Sequence, residues 1–460
     1  MRVLFCFVAL LAAVAAVDVR QRAHMAKAVL EPTQLHPAVR AFTTGSNFVF
    51  AVTNSHITNS DTSYTENITI IVTNYDSSNA ASVTVSTPSG IFSTQTFSVQ
   101  PLQNYQLTLP PEIQTDYRDF HVNYGYTTNQ SISLTASTTV TVVVSNAHSD
   151  GLSQDMYVVY PTCMLGTRYR TVGDETFLNG ARSTNIWSIV GTQDGTVITI
   201  DPPVTSPPTI SINKGQVFTL AADIFPLTNY DLSTNYPVAV ITGAVCGFGY
   251  FNPAICNYEA EMMFPLRDSG TQFPYSQFIS EDAGEIMVFA HADGTTISIN
   301  GVPFDTIDDG WYYIFQRKGS FLFSTSKPAY AVAVSSIRKD GKGSPFLAHI
   351  PAIDQFTNQT YLQVSTGLAG RTGAEHYIRL QTDLSNTGKL SVDDWPVNPL
   401  FFQRQGKSNT YIAEWAITPG THTVKSSDPK ATYAATVYGF AHFTAYAYTP
   451  GIDLPTNGTC

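Results

Sequence analysis

The tetrapeptide Asp268-Ser-Gly-Thr271 is the pattern that presents the catalytic carboxylate in aspartic proteases. That chemistry needs two carboxylates sharing one proton, supplied by two copies of the motif or by a dimer. The chain has no second Asp-Thr/Ser-Gly sequence, and the preceding Pro265-Leu-Arg is not an apolar strand. The sequence therefore predicts no protease activity.

Other catalytic patterns are also missing from the sequence. No Gly-x-Ser-x-Gly elbow occurs, and the ten histidines are dispersed without a His-Glu-x-x-His pair. His376 begins a predicted strand, where a hydrogen-bonded, half-buried histidine is expected. We predict no catalytic residue, no cofactor and no enzymatic activity.

Acidic and aromatic groups offer binding chemistry instead. Asp305–Gly310 and Asp393-Asp394 could supply oxygen ligands for calcium, but their spacing fits no EF-hand loop. We expect Asp-rich turns and no metal site. Trp311 and Trp395 lie beside these acidic residues and are candidates for sugar or protein binding, if they are exposed.

Four cysteines remain once Cys6 is assigned to a signal peptide. An even count in an oxidising compartment favours disulfides. Cys246 and Cys256 are close in sequence across a predicted bend, so we predict that bridge. Cys163 and Cys460 are left over, and Cys460 could equally bond another molecule. The absence of paired Cys-x-x-Cys knuckles argues against a zinc site.

Residues 1–16 have the charged start, apolar core and small-residue cleavage site of a secretory signal, and 17–40 are predicted to be a linker. Four Asn-x-Ser/Thr sequons support export, and they are Asn67, Asn129, Asn358 and Asn457. No later stretch has the ~20 consecutive apolar residues of a membrane helix. The sequence thus predicts a secreted, extracellular glycoprotein.

Composition limits the classes of partner. The net charge of −11 leaves no basic face for nucleic-acid phosphates. Apolar residues make up 43% of the chain, enough for a large core, and 460 residues exceed what one core usually supports.

Strand signals dominate the remainder of the sequence, and we predict an all-β fold. Short runs rich in Val, Ile and Thr alternate with Asn, Asp, Gly, Pro and Ser turns. The runs are Asn67–Thr73, Ala81–Ser86, Thr138–Ser145, Asn185–Val190, Thr196–Ile200, Thr209–Ile212, Val217–Ala221, Val238–Ile241 and Thr296–Ile299.

One strand pattern recurs about every 95 residues, with equivalent positions at Val144, Val240, Val334 and Val437. Self-similarity at a fixed spacing indicates an array of like units. Similar connectors separate the units, beginning at Met156–Pro161, Met262–Pro265 and Leu347–Pro351.

We predict a tandem array of about four β-sandwich-like units, with a closed, propeller-like ring as the alternative. The predicted boundaries are 41–150 for the first unit, 151–258 for a connector and the second, 259–340 for a connector and the third, and 341–460 for a connector, the fourth and a tail.

These motifs resemble the N-terminal domain of IgGFc-binding proteins, a secreted, mucin-associated family. The similar segments are Asp155-Met-Tyr-Val-Val-Tyr-Pro161 with Leu165-Gly-Thr-x-Tyr169, and Pro237–Gly243 leading to Cys246, Cys256 and Met263-Phe-Pro265. The resemblance covers roughly residues 40–450 and implies an extracellular binding or matrix role without enzymatic activity. The Cys-rich von Willebrand-type modules of large members do not follow, so mucin-like polymerisation is not implied. No residue matches an immunoglobulin contact set.

The sequence thus predicts a secreted, non-enzymatic binding protein of extracellular or mucosal surfaces that recognises protein or mucin-like glycan. One alternative is a self-associating matrix or mucus component cross-linked through Cys460. Another is a carbohydrate-active hydrolase on a β scaffold, which would need two carboxylates ~5–10 Å apart across a cleft. The oligomeric state is left open.

Overall fold

The regular structure of the described chain consists of strands and short 3₁₀ turns. The computed structural model describes residues 40–55, 66–115, 125–149, 151, 153–174, 177–178, 181–204, 208–222, 227–247, 257–281, 284–335, 338, 340–366, 368, 373–456 and 460. Residues Val39–Cys460 form one compact unit. The predicted signal peptide and most of the predicted linker lie outside the described residues. The all-β prediction is confirmed.

The first repeat, which we call unit 1, is built around one long strand. The strands of this region are β1 (Arg40–Phe42), β2 (Gly45–Phe50), β3 (Glu66–Asn74), β4 (Ala81–Ser86), β5 (Gln95–Val99), β6 (Asn104–Leu109), β7 (Tyr126–Thr128), β8 (Ile132–His148) and β9 (Gln154–Val159). The first half of β8 pairs with β2 and β4, and the second half pairs with β3 and β9. One strand is thus shared between two sheets, as at the corner of a β-sandwich.

Unit 2 repeats this topology around β17. Its region contains β10 (Gly166–Arg170), β11 (Phe177–Leu178), β12 (Ala181–Arg182), β13 (Thr184–Gly191), β14 (Thr196–Asp201), β15 (Thr209–Ile212), β16 (Val217–Ala222), β17 (Asp231–Gly247) and β18 (Asn257–Met262). The first half of β17 pairs with β10 and β14, and the second half with β13 and β18. β7 extends this sheet at β16.

Units 3 and 4 complete the array. Unit 3 has β19 (Gly270–Ser276), β20 (Gly284–Ala290), β21 (Thr295–Ile299), β22 (Val302–Ile307), β23 (Tyr312–Arg317), β24 (Ser320–Val334) and β25 (Leu347–His349). Unit 4 and the final strand are β26 (Gln359–Val364), β27 (Glu375–Asp383), β28 (Leu390–Val392), β29 (Trp395–Pro396), β30 (Gln403–Arg404), β31 (Thr410–Ala416), β32 (Gly420–Ser426), β33 (Tyr433–Ala441), β34 (Thr444–Tyr448) and β35 (Asp453–Pro455). Here two strands, β32 and β33, replace the single long strand.

The two halves of each long strand bury different amounts of surface. In β8 the first half alternates between buried and exposed positions, whereas its second half is buried on both faces. The same change occurs in β17 and β24 near Pro237 and Pro328. Proline has no N–H for the ladder, so it fits where a strand leaves one sheet for the next. Thr- and Ser-rich alternation therefore marks the outer sheet of a unit, and continuous apolar sequence marks the inner sheet.

The innermost strands of the four units pack around one centre. β9 contacts β18 and β34, and β25 contacts the same two strands. The fourth unit thus returns to the first, and the array closes on itself as the alternative expectation proposed, with sandwich-like units in place of single-sheet blades. Tyr361 N–H donates to the Tyr75 hydroxyl at 2.8 Å across this closure, and β1 pairs with β35.

A buried carboxylate joins three units at this centre. Asp155 Oδ1 accepts hydrogen bonds from Met156 N at 2.8 Å and from Ala447 N at 3.4 Å, and its Oδ2 accepts from Ala260 N at 3.0 Å. These partners lie on β9, β34 and β18. The connector strands thus extend the unit that precedes them, whereas the predicted boundaries at 151, 259 and 341 assign them to the unit that follows. Those boundaries stay predictions.

Candidate binding surface

The outer edge of unit 4 is a two-residue hairpin turn between β28 and β29. Asp393 and Asp394 both have positive φ, at 52° and 65°. A type I′ turn requires positive φ at two consecutive residues. After glycine, Asp is among the residues that tolerate a positive φ best. Trp395 follows the turn directly.

Side-chain contacts fix this turn on β32. Asp393 Oδ1 accepts from Thr423 N at 2.9 Å, and its Oδ2 lies 2.6 Å from His422 Nδ1. Asp394 Oδ1 lies 3.1 Å from Lys425 Nζ. The carboxylate of Asp393 therefore positions the hairpin with both of its oxygens, whereas Asp394 has one oxygen near Lys425 and an 80% exposed side chain.

The segment after the turn directs apolar side chains outward. Trp395, Leu400 and Phe401 are 80%, 88% and 60% exposed, and we call these three residues the unit 4 surface. Val397 and Phe402, on either side of Leu400 and Phe401, are buried in the core. A 3₁₀ turn at Pro399–Phe401 is capped by Asn398, whose Oδ1 accepts from Leu400 N at 3.0 Å. The exposed groups are thus held between buried anchors.

These three exposed apolar side chains lie within one short stretch of sequence, Trp395–Phe401. Among the described residues, three of the four most exposed large apolar side chains belong to the unit 4 surface. Single exposed apolar residues need no explanation, whereas grouped ones mark interaction sites. Trp is also the residue type most enriched among the side chains that dominate protein–protein affinity. The side chains of Trp395, Leu400 and Phe401 can bury apolar surface of a partner, and none of the three is an acid, a base or a nucleophile.

Unit 3 has a smaller exposed apolar edge. Val302 and Phe304 on β22 are 64% and 45% exposed. The other candidate tryptophan, Trp311, is half-buried and packs against the core of unit 3. The structure thus separates the two predicted aromatic candidates, since Trp395 is available to a partner and Trp311 is largely structural.

The Asp305–Gly310 segment is not a single turn as expected, because Asp305 to Ile307 end strand β22 and only Asp308 to Gly310 form the turn. Asp305 Oδ1 accepts from Thr306 N, and Asp308 Oδ1 accepts from Gly294 N, both at 2.7 Å. Asp309 forms a 2.9 Å ion pair with Arg170 of unit 2. Within the described residues, no group of three His, Cys, Asp or Glu side chains is arranged to hold a metal ion.

The protease-like tetrapeptide lies in a connector. Asp268 ends the 3₁₀ turn Leu266–Asp268 and is buried, so it faces no open cleft. Equivalent 3₁₀ turns at Thr162–Met164 and Ile353–Gln355 follow β9 and β25. The repeat therefore explains this motif as part of the fold.

Of the predicted cysteine and glycan sites, some lie within the described residues. Cys163 and Cys460 form a disulfide with a Cα–Cα distance of 5.3 Å, so Cys460 has no free thiol for a second molecule. Cys246 is also disulfide-bonded. Cys256 lies outside the described residues, so the Cys246–Cys256 pairing stays a prediction.

The sequons differ in accessibility. Asn67 and Asn129 are exposed. Asn358 is half-buried, and its Nδ2 donates to the Pro429 carbonyl at 2.8 Å. Asn457 lies outside the described residues. No helix among the described residues has the length and hydropathy needed to cross a membrane.

Sequence reasoning singled out Trp395 but missed Leu400 and Phe401. The signal was present in Asn398-Pro-Leu-Phe401, where a capping residue and a proline open a turn. A short turn cannot bury consecutive large apolar side chains on both sides of its backbone. Two such residues directly after Pro399 were therefore candidates for exposure.

The described chain is thus an all-β protein made of a closed array of similar units, with exposed apolar side chains on unit 4. A comparison with protein families identifies the family. Residues 41–229 and 155–439 match the family described as IgGFc binding protein, and the chain belongs to that family. The two matches overlap in unit 2, as expected for a chain of similar repeats. No curated protein matches the chain.

Proposed function

We propose that this protein is a secreted, non-enzymatic binding protein of extracellular or mucosal surfaces, which recognises a protein partner through the unit 4 surface. The observation that carries the proposal is the outward position of Trp395, Leu400 and Phe401 on a segment with buried anchors. Membership of the IgGFc-binding family supports binding as the activity.

The chemistry of this surface favours a protein over a glycan. A sugar site combines an aromatic platform with free polar groups that bond hydroxyls. Here both carboxylate oxygens of Asp393 are engaged by His422 and Thr423, so Asp394, whose side chain is 80% exposed, is the acid beside Trp395 that a partner can reach. Leu400 and Phe401 instead extend the apolar area, which suits apolar side chains of a protein.

Two other functions receive less support. A matrix protein cross-linked through Cys460 would need that thiol, which is bonded to Cys163. A hydrolase would need accessible carboxylates, and Asp155, Glu259 and Glu261 at the centre are fully or almost fully buried. Secretion agrees with the disulfide and with exposed sequons at Asn67 and Asn129.

The test is binding of the purified protein to immobilised Fc fragment of IgG, to mucin and to a glycan panel, with and without calcium. We expect saturable binding to a protein probe that Trp395→Ala and Leu400→Ser each weaken at least tenfold. Val302→Ser is the matched control, because it removes an equally apolar, exposed side chain from unit 3.

Each result of this test has a defined meaning. Equal loss with Val302→Ser would contradict a site on unit 4. Binding to the glycan panel alone, or calcium-dependent binding, would contradict protein recognition. Higher oligomers of a well-folded protein that binds no probe would favour the matrix role.

A further inference from the structure

Glu259 is a fully buried acid that has no hydrogen-bond partner in the described part of the chain. It lies on β18, at the centre of the array, with 0% of its surface exposed. Neither Oε1 nor Oε2 forms a hydrogen bond with any described residue. Buried carboxylates are ordinarily paired or hydrogen-bonded, because an isolated charge in a low-dielectric interior costs several kcal/mol or more.

The backbone beside Glu259 is shaped to admit its carboxyl group. A β-carbon added to Gly247 of β17 would lie 2.8 Å from Glu259 Oε2 and still closer to Oε1. Any other residue at 247 would therefore displace the acid. Glu259 thus occupies a closely fitted, buried position in the fold.

The titratable groups around Glu259 supply no positive charge. Asp155, Asp174 and Glu285 repel a negative charge there. β9, which packs on β18, carries Asp155 and the buried Tyr157. On β18 itself the nearest other acid is Glu261, which is also buried. β25 contributes His349, whose pKa burial lowers to about 4, so this imidazole is neutral at pH 7. β34 contributes Tyr446 and β17 the disulfide-bonded Cys246. Among the described residues, no Lys or Arg forms an ion pair with Glu259.

We propose that Glu259 is held as a neutral, protonated carboxylic acid near neutral pH, and that the central junction of the array is consequently stabilised by acid. Ionisation would place an uncompensated charge beside Asp155, the carboxylate that joins three units. The stability of the junction therefore depends on pH. It is greatest in acid and falls as the pH rises.

The direction of the effect follows from proton linkage. Burial first, and then repulsion from Asp174, Asp155 and Glu285, raises the pKa of Glu259 well above its ordinary value of 4.5. The folded state thus binds a proton that the unfolded state has released. The stabilisation is complete below pH 4.5 and is lost progressively as the pH rises toward the folded-state pKa. Over that range, each linked proton increases the unfolding equilibrium constant about tenfold per pH unit.

The test is the pH dependence of unfolding of the full chain between about pH 5 and pH 8. In this range we expect the folded and unfolded forms to differ in protonation. Wild type should lose stability as pH rises. Glu259→Gln, neutral at every pH, should reduce the slope by about one proton. Glu259→Met, of similar volume, gives the same test should the amide disturb folding. Glu112→Gln, at an exposed acid, is the control and should keep the wild-type slope.

An independent readout is the infrared band of protonated carboxyl groups in the wild-type protein at pH 7. We expect a band that is absent from the Glu259→Gln spectrum. Unchanged slopes in both variants, or no such band, would overturn the proposal. Stabilisation of wild type but not of Glu259→Gln by added calcium at pH 8 would also overturn it, since a cation and not a proton would then compensate the charge.

Discussion

Gly166 faces Pro265 so closely that a β-carbon on Gly166 would lie 2.6 Å from both Cβ and Cγ of the proline. The same relationship holds one unit earlier, where a β-carbon on Gly45 would lie 2.5 Å from Pro161 Cβ. In each case a glycine near the start of a unit contacts the connector that follows that unit. Glycine is required here for close approach and not for a positive φ, because neither residue has one.

Gly166→Ala should therefore destabilise the fold by about 1–3 kcal/mol, the usual cost of forcing an extra group into a packed contact. Denaturant unfolding would measure the change. Gly388→Ala is the control, because its added β-carbon would lie 3.6 Å from Pro399 Cγ, an ordinary contact. A Gly166→Ala protein as stable as this control would contradict the close-packed junction.

The Cys163–Cys460 disulfide links residues separated by 297 positions. A crosslink over so long a loop restricts the unfolded chain strongly, so Cys460→Ser should lower the free energy of unfolding by about 2–5 kcal/mol. Cys163→Ser should lose the same amount, and the double variant no more. A larger loss in the double variant would show that the two cysteines act separately.

Arg379 stabilises the contact between units 3 and 4 from a buried position. Its Nη1 donates to the Ser276 carbonyl at 2.7 Å, its Nη2 lies 2.8 Å from Glu414 Oε1, and its guanidinium carbon lies 4.8 Å from the centre of the Phe278 ring. Lysine cannot reproduce this planar set of donors. Arg379→Lys should cost about 2–4 kcal/mol, whereas Arg317→Lys, at an exposed cation–π pair, should cost under ~1 kcal/mol.

Glu375 gives a pH dependence opposite to that of Glu259. Partial burial alone would raise the pKa of Glu375, but hydrogen bonds from Lys342, Arg338 and Tyr377 outweigh it and lower the pKa to about 2. Its stabilisation is present above pH 4.5 and is lost as the pH falls toward 2. Because the Glu375 side chain is 32% exposed and solvent screens its ion pairs, we expect only about 1 kcal/mol. Glu375→Gln should remove this loss of stability at low pH. If the variant loses as much stability in acid as wild type, the role given to Glu375 is contradicted.

Local sequence predicted many of the strands, both in the outer sheets and in the largely buried β3. The runs at Asn67–Thr73 and Thr196–Ile200 lie within β3 and β14, and the Asp194-Gly195 turn precedes β14 with Gly195 at a φ of 70°. Alternation and turn residues are local properties, so one sequence is enough to find them. The four equivalent valines likewise lie on β8, β17, β24 and β33.

Neither the closure of the array nor the exposure of the unit 4 surface could be predicted from local sequence. Which connector strands meet at the centre depends on packing between units, and Asp155 or Glu259 in sequence looks like any surface acid. Exposure of Trp395 depends on a strained turn whose partners, His422 and Thr423, are about 30 residues away in sequence. Such long-range contacts leave no periodic signal.

The turn at Asp393 and Asp394 gives a prediction that distinguishes the positioning of Trp395 from the loss of a negative charge. Asp393 is held by His422 and by Thr423 N, whereas Asp394 contacts only Lys425 among its described side-chain partners, and both residues have positive φ. Asn tolerates that backbone as well as Asp does, so Asp393→Asn and Asp394→Asn leave the turn preference alone. Asp393→Asn should cost about 1 kcal/mol and weaken binding through the unit 4 surface, because the amide keeps an acceptor for Thr423 N but replaces the carboxylate contact with His422 by a weaker, neutral one. Asp394→Asn should change stability by less than ~0.5 kcal/mol, since it removes one exposed ion pair.

Denaturant unfolding measures the effect on stability, and affinity for the protein probe measures the effect on binding. Equal behaviour of the two variants would mean that the contacts of Asp393 do not position Trp395.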